Sequence, residues 1–362
     1  MASHAFRYGR LLGDFEIGAT YAHPWDVTVD VGTVALFQAS FLDAMPTFAS
    51  AAYAKALGLR DRPVHPLLCL NLGLSFSVHD VSEQAIAHLA YLDVRFPAPL
   101  YAGSTVTAQS RVLGVKPASS GDRGVAHVRT CLFDEHGTAV CVFERKALVR
   151  GGKLEARPAS PTVTTLREPE DVARRPRELS GTPSRPAGFA GFFEDFAQGD
   201  VYFHQVGKTV GESEHMQLTA LVRNSHPLHF DETYARTGKN SFAGTRVVYG
   251  GLVLSWACAL ASRDVAGNAV WELGLDQGAH PAGVVAGDTI YAASKVLETK
   301  PHDADFGEVT FRLVGVKNAL PETLAAAGKD LFTAELGKAE GDRLAEKVVE
   351  ITRTVLIARR PS

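Results

Sequence analysis

Cysteine is scarce in this chain and never clustered. Cys69, Cys131, Cys141 and Cys258 lie far apart with no CxxC spacing, which argues against a disulfide scaffold or a zinc site and for a reducing compartment. An excess of one charge is also missing, since 37 Lys and Arg against 40 Asp and Glu give a formal net charge of −3. Binding to a phosphate backbone needs clustered cations, so nucleic acid is not an expected partner. No uninterrupted apolar run reaches the ~18 residues of a membrane helix, so no membrane partner is expected. No apolar signal region lies between Met1 and Phe15, so a cytoplasmic location is the expectation. No GxGxxG or GxxxxGK[ST] motif opens a helix after a strand, which leaves a nucleotide-phosphate loop without support. What the chain has is an ordinary globular composition, 46 % hydrophobic and 21 % charged over 362 residues. That length suits about two domains.

The strongest organisational signal is an internal repeat. GDFEIGATYAH at 13–23 matches EDFAQGDVYFH at 194–204, an offset of 194 − 13 = 181. PAPLYAGSTVTAQSRVL at 97–113 matches PAGVVAGDTIYAASKVL at 281–297, an offset of 281 − 97 = 184. Two blocks in one order at nearly one offset indicate two fused copies of one fold. We place the first copy at 1–152, the second at 191–362 and a linker at 153–190. The linker is rich in Pro, Arg, Glu, Ser and Thr, so it reads as an extended surface strap.

Both copies share a coarse grammar. An amphipathic helix is expected at about 31–57 and again at about 212–237. Alternating β-rich runs follow at 90–96, 104–115, 124–134 and 138–149, then at 269–275, 288–299, 306–317 and 345–358. A helix followed by antiparallel strands implies an α+β class, with each sheet wrapped round its helix.

Chemistry concentrates in SEHMQLTALVRNSHPLHFDETYA at 213–235 and RVVYGGLVLSW at 246–256. Pro227 should break the helix between Asn224 and His229, letting both side chains turn into a cleft. Gly250 and Gly251 precede an apolar helix, where free backbone N–H groups can receive charge developing on a carbonyl oxygen.

RNSHPLH at 223–229 resembles the GDxNPLH motif of the hydratase-2 (MaoC) family. Within it, the EHM at 214–216, Asn224, His229, RVVYGG and AGDTIYA at 286–292 are similar to the mesaconyl-CoA hydratase (β-methylmalyl-CoA dehydratase) branch. The resemblance implies a tandem double hot-dog fold and a hydro-lyase acting on a short branched dicarboxylyl-CoA. The partner would be that small-molecule thioester, with no cofactor beyond the CoA it carries and no metal, and the assembly a homodimer.

The resemblance puts His229 at the motif's His and Asn224 at its Asp. An amide cannot ionise, so Asn224 would orient water while His229 moves protons. His226 replaces the motif's Asn. Gly251, with Gly250, would stabilise the enolate oxygen. Tyr249, His226 and Glu214 are further site candidates, Glu214 as a second acid–base group. Arg223 and Arg246 are the nearest cations for an acyl carboxylate. At offset 181 the first copy has Asp43 for Asn224 and Phe48 for His229. At offset 184 it has His65 for Tyr249, Pro66 for Gly250 and Leu67 for Gly251. It therefore lacks the motif's His and both glycines, and is expected to supply the wall that holds the CoA or acyl portion rather than chemistry, which falls to the second copy. Asp43 remains a minor candidate there.

Each residue also has a structural alternative. His229 suits a core histidine, Asn224 a helix terminus, Arg223 a solvated charge, and the two glycines a plain turn. His226 and His229 at spacing three lack a third metal ligand. His280 either lines the site or ends a strand. Competing activities are an (R)-specific enoyl-CoA hydratase, a hot-dog thioesterase and a non-catalytic acyl-CoA binder. The first wants the missing Asp, the second a carboxylate by the helix, and the third no His229.

Overall fold

The computed structural model describes residues 9–154, 175–176, 178–180, 191–237 and 244–361. The first copy runs β1 (Thr20–Thr28), α1 (Val31–Phe41), α2 (Pro46–Ala49), α3 (Ala51–Ala56), α4 (Pro66–Phe76), β2 (Ala85–Arg95), β3 (Thr105–Pro117), β4 (Arg123–Phe133) and β5 (Ala139–Arg150). The second runs β6 (Val201–Phe203), β7 (Lys208–Thr209), α5 (Glu212–Leu221), α6 (Glu232–Thr237), α7 (Gly250–Val265), β8 (Ala269–Ala279), β9 (Thr289–Pro301), β10 (Phe306–Lys317), α8 (Pro321–Ala326) and β11 (Lys347–Ala358).

The eight expected strands are present, in an α+β arrangement. The expected long helices are not. The 31–57 segment breaks after α1, where Leu42 turns left-handed at φ 55° and Pro46 starts a new helix. The 212–237 segment ends its helix at Leu221, before Pro227: Arg223 turns left-handed at φ 63°, and Pro227 opens a separate 3-10 turn. The helices the sheet embraces are instead α4 and α7. All of α4 is buried, as is most of α7. A helix enclosed on every side is apolar all round and carries no amphipathic stripe. Periodicity therefore pointed to the shorter surface helices.

The strands form one antiparallel sheet rather than two, in the order β1-β3-β4-β5-β2-β8-β11-β10-β9-β6, with β7 beside β9. The copies join edge to edge at β2 and β8, where Tyr91 faces Gly278 and Val94 faces Leu275. The offset of 184 carries Tyr91 to Leu275 and Val94 to Gly278, so this junction lies on the internal two-fold. Joining the copies here removes two exposed sheet edges.

The repeated histidines are duplicated staples. His23 Nδ1 lies 2.9 Å from Asp80 Oδ2 and its Nε2 2.7 Å from Ser110 Oγ. His204 Nδ1 lies 2.6 Å from Asp264 Oδ2 and its Nε2 2.9 Å from Ser294 Oγ. Each ties the start of its copy to the C-terminal end of the embraced helix and to a sheet strand. Most of the expected linker lies outside the described residues. Of the described part, Leu179 is buried, Ser180 N–H bonds the Leu57 carbonyl at 2.9 Å, and Arg175 lies 3.6 Å from Asp303.

Candidate active site

The break after α5 and the 3-10 turn that Pro227 opens build the site. Asn224, buried, accepts the His226 N–H on Oδ1 at 3.0 Å. His226 in turn accepts the Leu228 N–H on Nδ1 at 3.2 Å, capping a 3-10 turn over Pro227–His229. These two side-chain caps hold the turn and carry His229 to the cavity wall.

His229 Nδ1 lies 2.7 Å from the Val247 carbonyl. A carbonyl only accepts, so Nδ1 carries the proton and Nε2 holds the lone pair. Burial pushes the imidazole down to about 4, against the opposing pull of the Val247 bond, so the neutral form prevails at neutral pH.

Tyr249 caps the N-terminus of α7, its ring 5.5 Å from that of His229. The first intrahelical bonds of α7 run from the Leu252 and Val253 N–H groups to the Tyr249 carbonyl. The N–H groups of Gly250 and Gly251 precede them, at the positive end of the helix. Both positions exclude a side chain. A Cβ on Gly250 would sit 2.8 Å from His280 Nε2, and one on Gly251 2.0 Å from Asn71 Oδ1.

The opposite wall comes from the first copy: Leu74 and Val78 at the end of α4, His88 and Tyr91 on β2, Arg145 on β5. His280, from the second copy, donates Nδ1–H to the Val348 carbonyl at 3.0 Å and accepts the Tyr91 hydroxyl on Nε2 at 3.0 Å. Among the described residues, no Asp or Glu lines this cavity. Among the described residues, neutral imidazoles, two phenols, one amide, one guanidinium and the Ser82 hydroxyl supply its polar side-chain groups.

Residues 3–322 match the family model described as mesaconyl-CoA hydratase. The mesaconyl-CoA hydratase of Cereibacter sphaeroides is 35% identical over 322 residues, covering 86% of this chain and 90% of that protein. The chain belongs to the mesaconyl-CoA hydratase family. The β-methylmalyl-CoA dehydratase of Chloroflexus aurantiacus is 30% identical, covering 97% of this chain and 98% of that one. A solved MaoC-domain dehydratase from Chloroflexus aurantiacus superposes with a TM-score of 0.82 at 29% identity, covering 99% of this chain and 100% of that chain. The architecture is the MaoC-type double hot-dog.

Of the residues singled out from the sequence, this mesaconyl-CoA hydratase family member gathers Asn224, His226, His229, Tyr249 and Gly250 round one cavity. Gly251 lies directly behind, buried against Asn71. His280 is a lining residue. Three candidates go elsewhere. Arg223 is exposed, at a left-handed φ of 63° that lets the chain turn toward Asn224. Arg246 is held by Glu212, by Glu232 at 3.3 Å and by the Phe230 carbonyl. Glu214 pairs with Lys208 at 2.7 Å and caps α5. Arg246 and Glu214 are thus engaged in local pairs, and none of the three lines the cavity.

The degenerate copy holds one surprise. Asp43 does have a histidine neighbour, His65 Nε2 at 3.6 Å, supplied from the position of Tyr249 rather than of His229. Burial raises the Asp43 carboxyl, but the nearby His65 and Arg353 and the Met45 N–H, which Oδ1 accepts at 2.8 Å, outweigh it and hold Asp43 below the usual carboxylate range. The Phe48 and Phe37 rings pack on His65 at 4.8 and 5.8 Å. That space is filled with aromatic side chains instead of open to a ligand.

Sequence reasoning missed His88, Tyr91 and Arg145, which belong to the copy read as the wall that holds the CoA or acyl portion. One signal was available for Arg145. It lies on the inward phase of β5, between Phe143 and Ala147, where an alternating strand should present apolar residues only.

Proposed function

We propose that this chain catalyses the reversible addition of water to a short branched dicarboxylyl-CoA thioester of the mesaconyl-CoA and β-methylmalyl-CoA type. Family membership carries the reaction class. The single observation that carries the chemistry is His229, with one nitrogen fixed to the Val247 carbonyl and the other a neutral base at the cavity wall.

In the hydration direction, His229 Nε2 takes a proton from water as its oxygen bonds to the β-carbon. The electron pair of the C=C bond moves onto the thioester, forming an enolate. The Gly250 and Gly251 N–H groups at the α7 terminus receive that charge. The resulting imidazolium then delivers its proton to the α-carbon, closing the balance on one histidine. Asn224 holds the water, and Glu214 takes no part. Dehydration runs the same steps in reverse, and no cofactor beyond the substrate's own CoA is needed. The absence of carboxylates from the described cavity lining disfavours a thioesterase that works through an acidic side chain.

The test is to follow the enoyl-thioester absorbance and free thiol together, with mesaconyl-CoA and crotonyl-CoA. Loss of absorbance with mesaconyl-CoA and no thiol release is expected. Thiol release without hydration overturns the reaction, and turnover of crotonyl-CoA alone overturns the substrate.

A further inference from the structure

Among the described residues, Arg145 is the one charged side chain in the cavity lining, and it is only 4% exposed. Its guanidinium donates to Ser77 Oγ at 2.7 Å, to the Ser77 carbonyl at 3.4 Å and to Ser82 Oγ at 3.3 Å. Its Nε is buried with no hydrogen-bond partner, and no carboxylate among the described residues pairs with it. A buried cation held only by neutral oxygens is left with most of its desolvation cost uncompensated.

The second copy shows what the same position looks like when it is purely structural. Arg145 faces Tyr91 across β5 and β2, and Arg353 faces Leu275 across β11 and β8. Tyr91 and Leu275 are repeat partners, so Arg353 is the internal counterpart of Arg145. Arg353 is also buried, but Glu272 neutralises it through contacts at 2.8 to 3.2 Å. The repeat counterpart of Glu272 is His88. Burial, with the neighbouring His280 imidazole and the Arg145 charge, holds His88 well below the usual histidine range, so it is neutral and cancels nothing. The filled site keeps its counter-charge, and the open site has lost it at the point where the cavity lies.

We propose that Arg145 is the carboxylate anchor of this site, gripping the free carboxylate of a dicarboxylyl-CoA acyl group in place of the missing glutamate. This deepens the function proposed above and rests on it. A guanidinium is suited to the role because its planar fork grips a carboxylate through two hydrogen bonds. The division of labour follows: the second copy supplies the proton chemistry, and the copy that lost its histidine selects the acyl group.

The test compares the affinities of succinyl-CoA and butyryl-CoA, two unreactive thioesters of similar length that differ in the terminal carboxylate. Calorimetry is run on the wild type, Arg145→Met, Arg145→Lys and His88→Glu. His88→Glu recreates the Arg–Glu pair of the other copy, so it tests the anchor in a protein whose buried charge is balanced even if Arg145→Met folds poorly. The wild type should prefer succinyl-CoA by at least about tenfold. Arg145→Met and His88→Glu should abolish that preference, and Arg145→Lys should keep part of it. A wild type without the preference, or variants that weaken both ligands equally, would overturn the anchor. Mesaconyl-CoA turnover separates the two ideas. A wild type that prefers succinyl-CoA yet does not hydrate mesaconyl-CoA loses the proposed reaction and keeps the anchor. One that hydrates it without any carboxylate preference keeps the reaction and loses the anchor.

Discussion

His229 and Val247 are joined by a 2.7 Å hydrogen bond from imidazole Nδ1 to a backbone carbonyl, and this bond selects the tautomer of the site. The consequence is a defined pH dependence. Burial holds His229 and His280 at about 4 and His226 at about 3. The neutral imidazole is the acting form, so kcat/KM should be flat through neutral pH, with its acid limb near pH 4. Stability follows the same sign. Unfolded histidines take up a proton near pH 6.5 that the native site refuses, so their contribution is complete above that pH and is lost as pH falls toward 4. Rates from brief pH jumps, set beside near-UV circular dichroism, separate the two effects. An acid limb centred near 6.5 would show that His229 is not buried as described.

Gly251 meets Asn71 across the two embraced helices, and Asn71 is itself tied to the Leu67 carbonyl and to Ser255 Oγ. Gly251→Ala should therefore force α4 and α7 apart. We expect a loss of about 1–3 kcal/mol in urea unfolding, together with loss of turnover as the N–H groups of α7 shift. Wild-type stability in this variant would contradict the packing.

The staples make the opposite prediction. His204→Ala leaves Asp264 and Ser294 without their shared partner. It should cost about 1–3 kcal/mol, while kcat per folded molecule stays within about twofold, because the staple lies outside the cavity lining. Chemical unfolding and active-site-normalised turnover check both parts.

Glu272→Gln removes the counter-charge of Arg353 at the filled site. Breaking one side of a buried ion pair strands the other charge, so a loss of about 3–5 kcal/mol is expected. Thermal unfolding measures it. A near-neutral result would mean that a buried arginine is tolerated at this position without a partner, and would remove the contrast with Arg145.

Much of this was legible in the sequence, for reasons that can be named. Strand alternation and the repeat located eight of the nine long strands because period two survives wherever one face is buried; β1 (Thr20–Thr28) was not among those expected. The motif located Asn224, His226 and His229 because Pro227 fixes a local break whose caps are short-range. The short strands β6 and β7 give too few residues for a period to show. The embraced helices were misplaced because α4 and α7 have no polar face. Arg223, Arg246 and Glu214 were chosen by nearness along the chain. Glu212 and Glu232 neutralise Arg246, and Lys208 occupies Glu214, through contacts that sequence order does not reveal. Arg145 lies far from His229 in sequence and reaches the same cavity only because β2 and β8 join the two copies.

The central claim is that His229 moves the protons of a thioester hydration. The most direct test is the rate of mesaconyl-CoA consumption by the wild type and His229→Gln at pH 7.5, with folding of both verified. We expect kcat to fall by about 10³-fold with KM little changed, since the glutamine retains polarity but cannot relay a proton. A variant within tenfold of the wild type would contradict the claim and place the proton transfer on another group.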